Sequence, residues 1–276
     1  MMLTVGTPLG AVSVHITGQD PGAAPTVLML HANPGDSRDF DAVTPVLGSE
    51  YAIASVDWPG YGQSTVADAR QVTALGLAEV GELVLDHLAE HGIKRVAIIG
   101  NSVGGFAAVR LAVCRPESVT GVVLVDSAGY SPQNALTRTF CRQVMGRPWI
   151  ASRLVTPLAR AYLGRLRTSS ARATYERAKQ VRNDPVRLEV HCAIWRSFAD
   201  PRFDLSDTAP AVPTLVVWGK RDPVLLAVID GRRTRRCLPD AEFVLLPTGH
   251  EPFNERPELF LRKVTSFLAQ HARSQR

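Results

Sequence analysis

Short, almost unbroken apolar runs recur along the chain, at Thr26–Leu30, Tyr51–Val56, Val96–Ile99, Val119–Val125, Pro213–Trp218 and Phe243–Leu246. Their length and β-branched content predict strands, and their lack of strict polar alternation predicts burial on both faces of a sheet. Between them the period changes. From Val72 to His91 the residues Leu75, Leu77, Val80, Leu83, Val84, Leu85 and Leu88 recur near helical spacing, and Gly92 ends the segment. Leu259–Ala269 has the pattern of a closing amphipathic helix, with Gln270–Arg276 expected to fray. Leu3–Val5 and Val12–Ile16, around a Gly- and Pro-containing turn, predict an edge hairpin. Strand alternating with helix predicts an α/β fold: a mostly parallel central sheet with right-handed crossovers, flanked by helices.

The alternation stops at residue 131 and resumes near 206. Arg138–Ile150, Leu154–Leu166 and Ala171–Val181 are compatible with short helices, and no strand-like run lies among them. The expected organisation is a core of residues 1–130 and 206–276 with an inserted helical cap, or lid, at 131–205. Charge changes this picture in one respect. The cap carries 14 Lys and Arg against 5 Asp and Glu, whereas the remainder carries 17 against 21. A basic lid can steer an anionic substrate, but only if its charges converge on a site, so a solvated outer face is the preferred reading.

Composition sets outer limits. With 276 residues, 45% hydrophobic and 21% charged, the chain has ordinary globular composition. No basic leader precedes an apolar stretch and no run approaches the ~18 apolar residues of a spanning helix, which predicts a cytoplasmic protein without membrane insertion. Cys114, Cys141, Cys192 and Cys237 are widely spaced, so reduced thiols are expected rather than a disulfide framework or metal site. No aromatic-interleaved basic motif points to nucleic acid. Nothing in the pattern bears on oligomeric state.

The chemistry is concentrated where the strand Val96–Ile99 ends in Gly100-Asn101-Ser102-Val103-Gly104-Gly105 and a helix-forming stretch follows. Glycines on both sides of a serine allow a sharp strand-to-helix turn that leaves the hydroxyl exposed at its tip. This G-x-S-x-G elbow resembles that of the α/β-hydrolase superfamily, in its serine-nucleophile branch with a helical cap. Four other segments share the resemblance. His31-Ala32-Asn33-Pro34-Gly35 is similar to the family's loop after an early strand, with Ala32 in place of the usual glycine, and implies that the Asn33 and Val103 amides form an oxyanion hole. His31 is read as a brace for that loop. Asp57-Trp58-Pro59-Gly60-Tyr61-Gly62-Gln63-Ser64 matches a structural loop, which makes Asp57 a turn carboxylate. Gly219-Lys220-Arg221-Asp222 follows a strand in the manner of the family's acid, with Asp126 as the alternative. Gly249-His250-Glu251-Pro252 and the residues after it match the segment that carries the base.

The resemblance implies a Ser102–His250–Asp222 triad, in the chain order serine, acid, histidine. It implies no metal or organic cofactor. The expected activity is hydrolysis of a carboxylic ester of a small molecule through an acyl-enzyme. Carbon–carbon hydrolysis of ring-cleavage diketo acids is the second reading, because the Gly100–Gly105 elbow is similar, although Glu251 stands where that group commonly has tryptophan. Perhydrolase or haloperoxidase-like chemistry is the third. A small-molecule receptor on the same fold is the non-enzymatic alternative, to be told apart by turnover. Phe140, Trp149, Trp195 and Phe198 are candidate pocket residues.

Overall fold

A computed structural model describes residues 1–272. Its centre is one sheet of eight strands: β1 (Met2–Thr7), β2 (Gly10–Gly18), β3 (Thr26–Leu30), β4 (Ala52–Val56), β5 (Val96–Asn101), β6 (Val119–Val125), β7 (Thr214–Gly219) and β8 (Glu242–Leu246). The spatial order is β1-β2-β4-β3-β5-β6-β7-β8, with the β1–β2 and β2–β4 pairings antiparallel and the other pairings parallel. The edge hairpin and the parallel centre match the periodicity of the sequence.

Successive strand residues point to opposite faces, and here both faces are covered. Leu28, Leu30, Ile98 and Leu124 pack on one side with Leu77, Val84, Phe106 and Val109 from the helices Ala74–Glu90 and Val103–Cys114. Val27, Met29, Ile99 and Val123 pack on the other with Phe260, Val264, Phe267 and Leu268 from the helix Pro257–His271. Fully burying one such side chain contributes about 1.5–3 kcal/mol. The helix Ala74–Glu90 starts where Thr73 Oγ1 accepts the Gly76 amide at 3.0 Å. It stops at Gly92, whose φ of +84° admits no ordinary side chain without strain. The last helix extends to His271, beyond the expected Ala269; of the stretch expected to fray, residues 273–276 lie outside the described residues.

Between β6 and β7 the chain is helical, with Ala135–Thr139, Phe140–Met145, Pro148–Tyr162, Ser169–Val181 and Pro185–Ser197 in succession. Pro185–Ser197 is a helix the periodicity does not reveal. Val190 to Ile194 are buried consecutively, so no polar stripe alternates with an apolar one. Its start is nonetheless written in the sequence. Asp184 accepts the Val186 and Arg187 amides, and proline follows at the first helical position. Among the described residues no helix is long and apolar enough to cross a membrane.

The turn after β5 is so tight that two of its glycines touch backbone. A Cβ on Gly104 would lie 2.2 Å from the Leu30 carbonyl oxygen, and one on Gly100 would lie 2.4 Å from the Gly104 oxygen. Rigid neighbours on adjoining strands leave no room to relax. Gly104→Ala is therefore expected to destabilise the fold by at least about 3 kcal/mol, at the upper end of overpacking costs. A urea-unfolding midpoint unchanged from the parent would contradict this.

Candidate active site

Ser102 sits between β5 and the helix Val103–Cys114 with φ 55° and ψ −117°, a conformation that costs a non-glycine residue about 1–3 kcal/mol. Three backbone bonds hold it there. Its amide donates to Val125 O at 3.1 Å, and its carbonyl accepts from Phe106 N at 3.1 Å and Ala128 N at 3.0 Å. Because all three bonds use the main chain, the hydroxyl stays outside the scaffold.

The loop after β8 brings in His250. Its amide donates to Tyr162 O at 2.9 Å, and its carbonyl accepts from Asn101 Nδ2 at 3.2 Å. The preceding Gly249 amide donates to buried Glu255 at 2.8 Å, and Arg221 pairs with the other oxygen of that carboxylate. The imidazole Nδ1 lies 2.6 Å from Asp222 Oδ2. A carboxylate only accepts, so the proton is assigned to Nδ1, which leaves Nε2 as the basic nitrogen. Asp222 is held in turn by the Val224 and Leu225 amides on Oδ1, at 2.7 and 3.1 Å. Ser102 and His250 line the same cavity, of about 180 Å³. No hydrogen bond joins the serine hydroxyl to the imidazole among the described residues.

Both acids named from the sequence lie beside His250, but only Asp222 bonds its ring. Asp126 is fully buried at φ 41°, and its Oδ1 accepts the Gly219 amide at 2.8 Å. Burial first, and the charge of Asp222 second, push its carboxyl well above the usual range, which favours the protonated form of Asp126. Carboxylate and imidazole atoms of Asp126, Asp222 and His250 fall within 4.8 Å of one another, a spacing that also suits metal ligands. The direct Asp222–His250 bond makes the arrangement an acid–imidazole pair backed by a second carboxyl.

Two amides near Ser102 are free of backbone partners among the described residues. Val103 opens its helix, where the first amides have no intrahelical acceptor and the dipole is positive. The Asn33 amide donates to no other described backbone group. The Asn33 side chain lines the cavity, yet its oxygen accepts from Tyr61 OH at 2.8 Å and its nitrogen donates to His191 O at 3.3 Å. His31 braces this loop. Its Nε2 accepts the Trp58 amide at 2.9 Å and its Nδ1 faces Ala32 O at 2.7 Å, while burial lowers its pKa and keeps it neutral. Asp57 is a turn carboxylate, accepting the Ser37 and Gln63 amides and bonding His15.

A second acidic group adjoins the site. Glu251 is buried and pushed up to about 8, by desolvation first and by the charge of Asp39 next. Asp39 pairs with Arg177 Nη2 at 2.6 Å, which anchors the helix Ser169–Val181 to the loop after β3. Of the aromatic residues proposed from sequence, Phe140, Trp195 and Phe198 line the cavity. Trp149 does not: it is 63% exposed and stacks under Arg153 on the outside. No Arg or Lys lines the cavity among the described residues, so the basic excess of residues 131–205 does not converge there. Several arginines of that segment instead pair with nearby acids, as Arg196 does with Glu189 and Arg202 with Asp200.

Sheet order, serine elbow and an acid–histidine pair at the carboxyl ends of the strands define an α/β hydrolase, and the family model described as alpha/beta hydrolase fold matches residues 25–257. The chain belongs to this family and is a hydrolase. It is 30% identical, over 94% of its length and 92% of the relative's, to a 2-hydroxy-6-oxononadienedioate/2-hydroxy-6-oxononatrienedioate hydrolase of Cupriavidus pinatubonensis. It is 28% identical, over 90% of its length and 97% of the relative's, to a pimeloyl-[acyl-carrier protein] methyl ester esterase of Nitrosomonas europaea. Among solved structures, a thermophilic esterase from Thermogutta terrifontis superposes with a TM-score of 0.77 at 22% identity, covering 98% of each chain, which is a likeness of fold.

Proposed function

We propose that the chain is a serine hydrolase that cleaves the carboxylic ester of a small molecule, with Ser102 as nucleophile, His250 as base and Asp222 as its orienting acid. The observation that carries this reading is the 2.6 Å His250–Asp222 bond behind a cavity that Ser102 shares. His250 Nε2 takes the hydroxyl proton as Ser102 Oγ bonds to the carbonyl carbon, and the Asn33 and Val103 amides hold the resulting oxyanion. Collapse breaks the ester C–O bond, and His250 returns the proton to the departing alcohol. Water then attacks the acyl-enzyme by the same path, releasing the acid and restoring the serine. Residues 131–205 serve as the cap, since they supply most of the cavity's apolar wall.

The likeness to the Cupriavidus enzyme favours carbon–carbon hydrolysis as a second reading. The absence of Arg and Lys from the described cavity wall weighs against the acidic substrates in that relative's name. Incubation with a fluorophosphonate probe, beside turnover of p-nitrophenyl acetate, butyrate and octanoate, tests the ester reading. Labelling at Ser102 with an initial burst on the short esters is expected. A protein that neither labels nor turns over any of them is not a serine esterase.

A further inference from the structure

Helix Pro185–Ser197 places His191 and Trp195 one turn apart on the same face, and both line the cavity that holds Ser102 and His250. Their rings meet edge to face, with centroids 6.4 Å apart. His191 is 1% exposed, and neither of its ring nitrogens has a hydrogen-bond partner among the described residues. The same holds for Trp195 Nε1 and for Gln133 Oε1, which also lines the cavity. The His191 carbonyl, by contrast, is committed to the Asn33 side chain. That bond ties the helix to the loop after β3, which lines the same cavity as Ser102.

Each buried polar atom left unpaired costs about 1–3 kcal/mol, and native proteins keep few of them. These four atoms, and the likewise unpaired Tyr162 hydroxyl, belong to residues that line one cavity and are left for its contents to satisfy. Burial holds His191 neutral, pushing it down to about 3, and no charged residue contributes to that shift. A neutral imidazole offers one donor and one acceptor, the indole adds a donor, and the Gln133 carbonyl adds an acceptor.

Resting on the serine-hydrolase reading, we infer that His191, Trp195 and Gln133 form a polar subsite for a second, uncharged oxygen function of the ester, of the hydroxyl class. The preferred substrate is then a small hydroxy ester. A plain alkyl ester leaves the subsite unpaired, and a carboxylate-bearing ester brings a charge that nothing on the wall neutralises.

The test compares kcat/KM on ethyl butyrate with ethyl 3-hydroxybutyrate, and on butyl acetate with 3-hydroxybutyl acetate, so that the hydroxyl lies on either side of the ester. Monoethyl succinate serves as the anionic probe. The parent is expected to favour the hydroxylated member of one pair by roughly 10- to 100-fold, because a site built to bond a hydroxyl rejects the analogue lacking it. Monoethyl succinate is expected to be the poorest. His191→Phe keeps a ring of similar shape and removes both nitrogens, and should bring that preference to within about threefold, read as the kcat/KM ratio within one pair so that any general change in activity cancels. A histidine that merely fills space would leave the preference intact. His191→Gln, which restores a donor and an acceptor, should recover part of it. If His191→Phe does not fold, Trp195→Phe is expected to lower the same preference by at least about threefold.

The proposal is overturned by a parent that prefers the alkyl member of both pairs or monoethyl succinate, or by variants that keep the hydroxyl preference. Fluorophosphonate labelling of Ser102 separates the two levels. Labelled enzyme without hydroxyl preference sinks the subsite alone, whereas unlabelled enzyme sinks the ester reading beneath it.

Discussion

Ser102→Ala is expected to fold as the parent does and to lose on the order of 10⁴- to 10⁶-fold in kcat on p-nitrophenyl butyrate. The size of the loss follows from the division of labour at the elbow. His250, Asp222 and the two amides remain in place, so oxyanion binding and substrate positioning persist and leave a small rate above water. What disappears is the only hydroxyl at the strained turn, and with it the covalent intermediate, so fluorophosphonate labelling should vanish as well. Stability should move little, because the bonds that enforce φ 55° at this position are all made by backbone atoms. Alanine also retains the Cβ, and with it whatever strain the serine bears. Circular dichroism and a urea midpoint within about 0.5 kcal/mol of the parent would exclude unfolding as the cause of the lost rate. An undiminished rate in the folded variant would remove Ser102 from the mechanism.

How far the site could be read in advance depended on the kind of signal each residue leaves. Ser102 and Gly104 announce themselves because the elbow needs small residues at fixed offsets, and the Gly104 contact with Leu30 shows the steric reason. His250 lies in a segment whose neighbours are themselves constrained: Gly249 meets the Tyr162 carbonyl, and Glu255 caps the loop. The strands were legible because burial on both faces leaves an unbroken apolar run, as in β5. The wall of the cavity was not. His191 carries no local signature; its significance comes from a cavity closed by segments as far away in sequence as Asn33 and from the absence of partners for its ring among the described residues. Trp149 and Trp195 look alike as letters, yet one faces solvent and the other the cavity. Only the rotation of each helix decides that.

The sequence order favours Asp222 over Asp126 as the acid, and that choice leads to opposite expectations for two substitutions of the same kind. Asp222→Asn should lower kcat by on the order of 10⁴-fold, since an amide facing His250 Nδ1 at 2.6 Å can present its own N–H and favour the wrong imidazole tautomer. Asp126→Asn should cost less than about tenfold, because an amide closely mimics the protonated acid that burial and the charge of Asp222 favour there. Stability should shift in a direction that the parent's titration dictates. The folded pKa of Asp126 is raised above its unfolded value, so the folded state binds the extra proton and the parent loses stability as pH rises from the unfolded pKa toward the folded one. Asparagine has no such titration. Relative to the parent, Asp126→Asn should therefore gain stability as pH rises above the ordinary carboxylate range, with the advantage fading below it. Urea unfolding at several pH values measures this, alongside kcat for both variants. A larger kinetic loss in Asp126→Asn than in Asp222→Asn would exchange the roles of the two acids. A parent-like pH dependence in Asp126→Asn would mean that Asp126 is not the neutral partner of the pair.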